Sequence, residues 1–321
     1  MQVRSSNPFV AGCQLLAMSL AVTCGAGNAF AQAIVPGTGT KVTEVGDDFE
    51  DVNWAYHFGG AKSSSNIDHR ERQPCGISTN RRWQESLYRG QPDVIERIET
   101  PLGGIEGSHG ALLMRTLHSG IPGTLTREMQ QDDLLVSVRP RLGRNIAVSR
   151  IPNVVVRVFM PPFEHWEQRT GASFGFRAEL QTTKITKKRG LFSRRTKREI
   201  EPYWPGMFIQ YNRKATTGKE HDSATILVRS DNRGQDSFGP TIEESGWWTM
   251  GMSFTPDGRV HYYASPGVDD LKASDHIASS YPYGYRAEHF NTFFFNIVNQ
   301  DNGRSWSTEW VIDDPELYLV R

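Results

Sequence analysis

The sequence has few cysteines, and those present cannot pair within a processed chain. There are three, Cys13, Cys24 and Cys75, and the first two lie in a stretch that resembles a removable signal. Cys75 is then left alone, so no intramolecular disulfide forms and stability has to come from packing. A lone thiol outside the cytoplasm could still link two chains, although a partly covered, inert cysteine is the simpler interpretation.

The sequence also has no excess of either charge. Its 36 Lys and Arg residues balance 36 Asp and Glu residues, so the molecule as a whole does not attract polyanions. This balance argues against a general nucleic-acid-binding protein. Any charged partner has to be recognised locally.

Long apolar runs are missing as well. The main run, Leu15–Val22, is shorter than the ~20 residues that a membrane-spanning helix needs. Arg4 precedes it and Ala29-Phe30-Ala31 follows it, which is typical of a signal peptide cut after Ala31. We therefore expect a signal peptide at residues 1–31, no membrane span, and a secreted, periplasmic or cell-surface protein. Lipidation at Cys24 is a poorer fit to the residues before it.

Helical periodicity and the common catalytic motifs are absent too. The chain contains no Gly-x-Ser-x-Gly elbow, His-Glu-x-x-His helix, Cys-x-x-Cys pair or phosphate-binding glycine loop. It also has no Glu-x-Asp-x-Glu run on a central strand, so nothing supplies the paired carboxylates of a retaining glucanase.

Alternation with a period of two is what the sequence does contain. Trp247–Ser265 reads as a hairpin that turns at Pro256-Asp257-Gly258, and Ser173–Gln181 reads as the strongest single strand. The other predicted strands are Ala111–Leu117, Val154–Met160, Met207–Asn212, Ala224–Arg229, Thr292–Val298, Trp310–Asp313 and Leu317–Val320. This pattern predicts an all-β, two-sheet antiparallel jelly-roll sandwich.

The predicted domain covers residues 47–321 and follows a flexible leader at 32–46. Asp47–Trp54 suits an opening strand, whereas residues 59–110 read as loops with a few short strands.

Three segments resemble the concanavalin A-like lectin/glucanase superfamily, in the broad sense that includes laminin-G-like modules. They are DDFE at 47–50, WWTMGMSFTPDGRVHYYA at 247–264 and STEWVIDDPELYLV at 307–320. The resemblance implies a curved sandwich whose concave face or rim loops bind saccharides. Fold alone does not establish activity.

One candidate binding site is the non-core face of the central strands, where amide, guanidinium, carboxylate and aromatic groups could hold a sugar. The alternative is a solvated face on which Arg177 and Glu179 pair. The predicted ligand-binding residues are Arg157, Arg177, Glu179, Gln210, Asn212, Thr249, His261 and Tyr263.

A lyase version of this site comes from a faint resemblance to alginate lyase motifs. The resemblance implies Arg177 and Gln210 as groups that neutralise a uronate carboxylate, with Tyr211 and Tyr263 as base and acid. Tyr211 stands where the pattern wants His, and Tyr263 and Ser265 stand where it wants Phe and Gly.

A structural calcium ion is a further expectation, because first and last strands tend to be neighbours in folds of this kind. Asp47 and Asp48 would then approach Asp313 and Asp314, and clustered carboxylates suit Ca²⁺. Alternatively, these aspartates cap turns or pair with arginine.

The segment Lys184–Arg198 is strongly basic and reads as a long hairpin or loop. It could bind an acidic polysaccharide, a phosphate-rich polymer or an anionic surface, or it could simply be solvated.

Taken together, these features favour an exported, non-catalytic carbohydrate- or glycoconjugate-binding protein that requires no cofactor. The alternatives are a polysaccharide-degrading enzyme, with a lyase ahead of a hydrolase, and an envelope protein-interaction module.

Overall fold

Alternating side chains give the described strands one packed face. Phe174, Phe176, Ala178 and Leu180 are all fully buried along a single strand, Gly171–Arg189. Successive side chains of a strand point to opposite faces, so the residues between them face away from this core. The structure is a computed structural model that describes residues 33–121, 123–189 and 194–321. The expected signal peptide, residues 1–31, lies outside the described residues.

Nineteen strands and three short α-helices are present in the described part of the chain. The strands of the first half are β1 Thr40–Lys41, β2 Tyr56–His57, β3 Ile77–Ser78, β4 Trp83–Glu85, β5 Val94–Ile98, β6 Ala111–Arg115, β7 Gln130–Val136, β8 Ile146–Ala147 and β9 Pro152–Met160. The remaining strands are β10 Gly171–Arg189, β11 Arg194–Tyr203, β12 Gly206–Asn212, β13 Ser223–Arg229, β14 Asp236–Ile242, β15 Gly246–Phe254, β16 Val260–Pro266, β17 His276–Ser280, β18 His289–Asn299 and β19 Trp310–Leu319. The helices are α1 Ser65–Asp68, α2 Val138–Leu142 and α3 Lys214–Thr217, with short 3₁₀ turns at Val148–Arg150, Phe163–His165, Ala273–Asp275 and Pro282–Gly284.

The described strands pair antiparallel throughout and form two sheets. Sheet A has the order β17-β16-β15-β9-β19-β6-β5, with β1 also paired to β19. Sheet B has the order β14-β13-β12-β10-β18-β7-β4-β3-β2, with β11 paired to β10 and β8 paired to β18. The two inner faces share one hydrophobic core, which confirms the all-β, two-sheet jelly-roll prediction and agrees with the concanavalin A-like resemblance. No helix among the described residues is long and apolar enough to cross a membrane.

Aromatic rings join the two sheets inside this core. The ring of Trp310 on sheet A lies 4.8 Å from that of Phe174 on sheet B, and the ring of Phe254 on sheet A lies 5.2 Å from that of Phe290 on sheet B. Fully burying a side chain of this size contributes ~1.5–3 kcal/mol to folding. The core therefore holds the sandwich together, and Cys75, the cysteine within the described ranges, is free.

The strong hairpin forms where the sequence predicts it. β15 and β16 pair from Trp248 opposite Pro266 to Phe254 opposite Val260. The turn closes through a hydrogen bond from the Gly258 amide to the Thr255 carbonyl, 2.8 Å long. Gly258 has a φ of +84°, and a Cβ there would lie 2.7 Å from Arg286 Cβ, so the turn requires glycine.

Two expectations about the start of the chain are wrong. The leader at 32–46 is not a free segment, because β1 pairs with β19 and the Gly37 amide donates to Asn153 Oδ1 over 2.8 Å. Asp47–Trp54 forms no strand; Phe49 has a φ of +54° and is buried. The first strand of the described chain, which pairs with the last strand β19, is therefore β1 and not residues 47–54.

Candidate functional site

A furrow crosses the outer face of sheet B. The strand register places Asp133 of β7, Asn296 of β18, Gly175 of β10, Phe208 of β12 and Leu227 of β13 side by side in one row. All of these positions except Asn296 and Gly175 line a cavity of about 840 Å³, which also takes in Arg177, Glu179 and Gln210. The site is thus built from five adjacent strands of one sheet.

Gly175 keeps the centre of this row open. A Cβ at this position would lie 2.7 Å from Asn296 Oδ1 and 3.0 Å from the Phe208 ring. Contacts this short force neighbours to move, so the two flanking side chains lean over a position that has no side chain of its own. Glycine here lets the backbone form the floor.

Arg177 is the central cation of the furrow. Its Nη2 donates to the Trp204 carbonyl oxygen over 2.6 Å, while Nε is buried and has no partner. Its Cζ lies 5.3 Å from the centroid of Phe208 and 5.5 Å from that of Phe294. Burial lowers the pKa of Arg177, and among the described residues no carboxylate forms an ion pair with it. The expected alternative, an Arg177–Glu179 pair, does not form.

Glu179 and Gln210 stand on either side of Arg177 along the furrow. Glu179 Oε1 accepts from Asn291 Nδ2 over 2.7 Å, and Oε2 accepts from Trp204 Nε1 over 3.3 Å. Gln210 Nε2 donates to Asn212 Oδ1 over 3.1 Å. The structure therefore brings Arg177, Glu179 and Gln210 together, with Asn212 as a supporting neighbour.

Asp133 supplies a second carboxyl group at the opposite wall. Its Oδ1 accepts from Asn296 Nδ2 over 2.6 Å and from Gln131 Nε2 over 3.1 Å. Burial raises the pKa of Asp133 to about 7, although Arg177 and Arg89 oppose the shift. Asn296 is fully buried and its Oδ1 has no partner, so one hydrogen-bond acceptor at the floor of the furrow is unused.

Aromatic and ion-paired side chains complete the walls. The rings of Tyr88 and Trp204 meet edge to face at 6.0 Å, which closes one side between the β4–β5 loop and the β11–β12 connection. On the other side Arg229 binds Asp236 through two hydrogen bonds, and its Cζ lies 5.0 Å from the Phe208 centroid. Arg229 therefore has an ion-pair partner, whereas Arg177 forms no ion pair with a described residue and interacts with Asp133 only at longer range.

The other predicted site residues lie on the outer face of sheet A, so the expectation of one shared face is wrong. Arg157 is nearly buried there, with Nη2 2.8 Å from Asp270 Oδ1, Nη1 3.5 Å from Glu316 Oε2, and Nε donating to the Val268 carbonyl. Thr249 Oγ1 donates to the Gly267 carbonyl over 3.0 Å. These contacts tie a loop to the sheet.

His261 and Tyr263 are covered on that same face. The His261 ring lies 2.8 Å from Thr255 Oγ1 and 2.6 Å from Ser279 Oγ, and burial lowers its pKa to about 4. Tyr263 packs with Val155 and Leu271 in a small separate cluster. Neither side chain reaches the furrow.

The four residues of the lyase hypothesis do not converge. Tyr211 lies on the core side of β12, where its ring is 5.1 Å from Trp166, because neighbouring strand residues face opposite ways and Gln210 faces out. Tyr263 belongs to the other sheet. Only Arg177 and Gln210 of that set share the furrow.

The four aspartates of the calcium hypothesis are held mainly by other groups. Asp47 Oδ2 accepts from Trp54 Nε1, Asn80 Nδ2 and Trp83 Nε1 at 2.7–2.9 Å. Asp313 Oδ2 accepts from Ser108 Oγ over 2.8 Å. Burial raises the pKa of Asp313 to about 7, and burial raises that of Asp314, with Asp48 adding to the second shift. No group of three or more potential ligands gathers within the described ranges, and a calcium ion stays a prediction.

The basic segment 184–198 forms the arms of a hairpin, as predicted. β10 and β11 pair from Leu180 opposite Tyr203 to Arg189 opposite Arg194. Residues 190–193 lie outside the described residues.

Sequence reasoning missed the row on β7 and β18 that completes the furrow. The run Phe293-Phe294-Phe295 has no alternation, which is typical of a strand covered on both faces. That signal predicts an outward aromatic at Phe294. Nothing local to Gln130–Val136 reveals that β7 lies next to β18.

No protein-family model matches this chain, and no curated protein matches it. Among solved structures, a carbohydrate esterase from the Shiga toxin-encoding bacteriophage phi24B is 11% identical, with a TM-score of 0.41 over 75% of this chain and 91% of that one. An alginate lyase from Pseudomonas aeruginosa is 8% identical, with a TM-score of 0.37 over 71% and 87%. The carbohydrate recognition domain of Emp47p is 9% identical, with a TM-score of 0.34 over 81% and 95%. At these values the similarities assign no activity.

Proposed function

We propose that this protein is exported and binds a saccharide bearing an anionic group in the furrow of sheet B, without cleaving it. The observation that supports this most is Arg177, a half-buried guanidinium whose Nε is buried without a partner and which forms no carboxylate ion pair among the described residues. A partly buried cation in this state gains from an incoming anion, because part of the cost of removing it from water has already been met on folding.

The rest of the furrow suits a sugar ring. Phe208, Phe294 and Trp204 offer apolar faces for the C–H side of a ring, while Gln210 and Glu179 offer hydrogen bonds to hydroxyl groups. The volume of about 840 Å³ falls within the ~300–1,000 Å³ typical of small-ligand sites. The solved carbohydrate-binding domain and sugar-acting enzymes named above are consistent with such a ligand but do not establish it.

The positions of the carboxylates favour binding over hydrolysis. Asp133 is level with Gly175 and two strands away from β10, and Glu179 lies four residues further along β10. Strand spacings of ~4.8 Å and ~3.3 Å per residue put their Cα atoms roughly 16 Å apart. Glycosidases place their two carboxyl groups ~5–9.5 Å apart, so these two residues do not form such a pair.

A lyase remains the second candidate because Asp133, with a pKa of about 7, is a carboxyl group able to exchange a proton near neutral pH. An interaction module without a saccharide ligand is the third.

A polysaccharide panel separates these candidates. The purified protein is passed over immobilised alginate, polygalacturonate, heparin and neutral β-glucan, and the eluates are assayed for ultraviolet-absorbing unsaturated ends and for new reducing ends. We expect retention on an acidic polymer, no products, and loss of retention in Arg177→Gln. Arg304→Gln, which changes an exposed arginine outside the furrow, is the matched control.

Three results contradict the proposal. Unsaturated ends identify a lyase, and new reducing ends identify a hydrolase. Absence of both retention and products over the whole panel favours the interaction module.

A further inference from the structure

A second cavity lies along the same strand as the furrow. It has a volume of about 390 Å³ and is lined by residues of the α2–β8 connection, the base of the β10–β11 hairpin and the start of β18. Glu179 lines the furrow and Gln181 lines this second cavity. These are successive outward positions of β10, because side chains two residues apart share a face. The two cavities are therefore consecutive sections of one surface.

Unpaired cations flank this second cavity. Arg139 and Arg144 both line it and are exposed. Among the described residues, neither has an ion-pair partner. Asn145 Nδ2 donates to Gln181 Oε1 over 3.0 Å, while the Asn145 Oδ1 is buried without a partner. The wall thus carries two guanidinium groups without an ion-pair partner among the described residues and one carboxylate, Glu288, whose Oε2 accepts from Thr183 Oγ1 over 2.7 Å.

The two faces of the hairpin differ in charge pairing. On one face Lys184 lies 3.8 Å from Glu201, and Lys197 contacts Glu199. On the other face, which continues the outward face of β10, Thr183 is opposite Ile200 and Ile185 is opposite Arg198.

On this second face Ile185 and Ile200 are 55% and 70% exposed, and Arg198 has no ion-pair partner among the described residues. The free cation and exposed apolar surface therefore lie on the furrow side.

We infer that the ligand is an extended anionic polysaccharide that runs along β10, from the furrow at Gly175 past Gln181 to the outward face of the hairpin at Ile185. This inference rests on the proposed function, because it extends the same site. The path covers ten residue-to-residue steps of β10, from Gly175 to Ile185, roughly 33 Å at ~3.3 Å per step. Arg177 holds one anionic unit at one end, and Arg139, Arg144 and Arg198 attract further units at the other.

The surface favours a polymer over a single anion. The cations at the hairpin end are exposed and dispersed, so each contributes little alone and is screened by salt. Together with Arg177 they lie at intervals beside the proposed path, on α2, the α2–β8 connection and β11, and this rewards a ligand that carries charge at repeated intervals. Short oligosaccharides would occupy the furrow alone.

The test uses two double variants with equal loss of charge. Arg144→Gln/Arg198→Gln removes two cations from the proposed path, and Lys184→Gln/Lys197→Gln removes two cations from the opposite, ion-paired face. Binding of size-fractionated alginate, polygalacturonate and heparin is measured from disaccharides up to chains longer than the path, at low and at physiological salt. Thermal melting checks that each variant is folded.

For the unmodified protein we expect affinity to rise with chain length until the ligand spans the path. Arg144→Gln/Arg198→Gln should weaken binding of long chains by roughly 2- to 30-fold and reduce the salt dependence, but leave disaccharide binding unchanged. Lys184→Gln/Lys197→Gln should change neither.

The outcomes separate this inference from the function it extends. Disaccharide binding that does not strengthen with length overturns the path and leaves the furrow in place. Equal losses in both double variants overturn it too, because net charge alone would then explain the effect. Binding to vesicles rich in anionic lipid, lost in the first variant without any chain-length dependence, assigns the hairpin face to a membrane surface instead. Failure of every saccharide to bind removes both proposals.

Discussion

The outer faces of the two sheets are built from similar antiparallel strands, but one face is covered by other segments of the chain and the other is open. On sheet A, residues 34–38 and the loop around Asp270 cover the face, and Arg157 is bound by Asp270, Glu316 and a carbonyl. The corresponding face of sheet B is open and holds a cavity of about 840 Å³, and Arg177 forms no ion pair with a carboxylate of the described chain. The same residue type therefore stabilises one face and leaves binding capacity on the other. What separates a structural arginine from a candidate ligand-binding one is whether a chain segment lies over it.

Replacing Arg157 and Arg177 by methionine, one at a time, should give the largest difference between the two faces. Arg157→Met should reduce the free energy of unfolding by ~2–3 kcal/mol. This is less than the loss expected when one partner of a fully buried ion pair is removed, because Asp270 is exposed and Glu316 still contacts Lys41 and Tyr318. Arg177→Met should leave stability within ~1 kcal/mol of the original or raise it, because a desolvated charge is removed, and should abolish retention on acidic polysaccharide. Urea unfolding and the retention assay measure the two effects. A reversed pattern would remove the distinction between the faces.

The two outward glycines provide a second contrast. A Cβ at Gly251 on sheet A would lie 2.6 Å from both Leu271 Cδ1 and Pro36 Cβ, whereas one at Gly175 would meet Asn296 and Phe208. Gly251→Ala should cost ~1–3 kcal/mol by displacing the covering segment and leave saccharide binding intact. Gly175→Ala should weaken binding by roughly 5- to 100-fold, as neighbours shift across the floor. Equal effects of both variants on binding would contradict this assignment.

Acidification should affect Asp133 on sheet B and His261 on sheet A with opposite sign. The folded pKa of Asp133 is raised to about 7, so its contribution to stability is present below pH ~4 and is lost as the pH rises to 7. The folded pKa of His261 is lowered to about 4, so its contribution is present above pH ~6.5 and is lost as the pH falls to 4. Each should amount to ~1–2 kcal/mol after allowance for solvent screening.

Single variants test this pair. Asp133→Asn should reduce the decline in stability toward neutral pH without removing it, because Asp313 also has a pKa raised to about 7. It should also abolish any weakening of anionic-ligand binding above pH 7. His261→Gln should remove the decline on acidification. Melting temperatures from pH 4 to 8 provide the measurement, and an unchanged profile in either variant would contradict the corresponding assignment.

The smallest expected effect concerns residues 34–38, which cover part of the outer face of sheet A. Ser253 Oγ donates to the Ile34 carbonyl over 2.6 Å, and Ser253→Ala removes this bond at a cost of ~0.5–1.5 kcal/mol. Furrow binding should not change, because the two faces are separated by the core. Hydrogen exchange of the residues 34–38 should increase, and unaltered exchange would show that the bond does not hold the segment.

Local alternation was enough to place Arg177, Glu179 and Gln210 on one outward face, because side-chain direction in a strand depends only on the period of two. It could not separate them from Arg157, His261 and Tyr263, which also face outward but on the other sheet. Strand order is set by pairing between distant parts of the chain, such as β10 with β18, and no short pattern encodes it.

Segments without alternation were the other source of error. Phe49 and Trp54 are apolar and buried in an irregular turn, not in a strand, because Asp47 accepts hydrogen bonds from the indoles of Trp54 and Trp83. Residues 34–38 were predicted to be part of a flexible leader, yet their backbone groups contact Asn153 and Ser253. Contacts made through the main chain leave no trace in residue type.

The docking of Ile34 against Ser253 sets a limit on how the amino terminus can be trimmed. A cut after Ala31 would leave only two residues before the anchoring Ile34 carbonyl, whereas trimming beyond Thr38 would remove Val35, which packs against the cluster of Val155, Tyr263 and Leu271. Trimming from this end should therefore stop before Ile34.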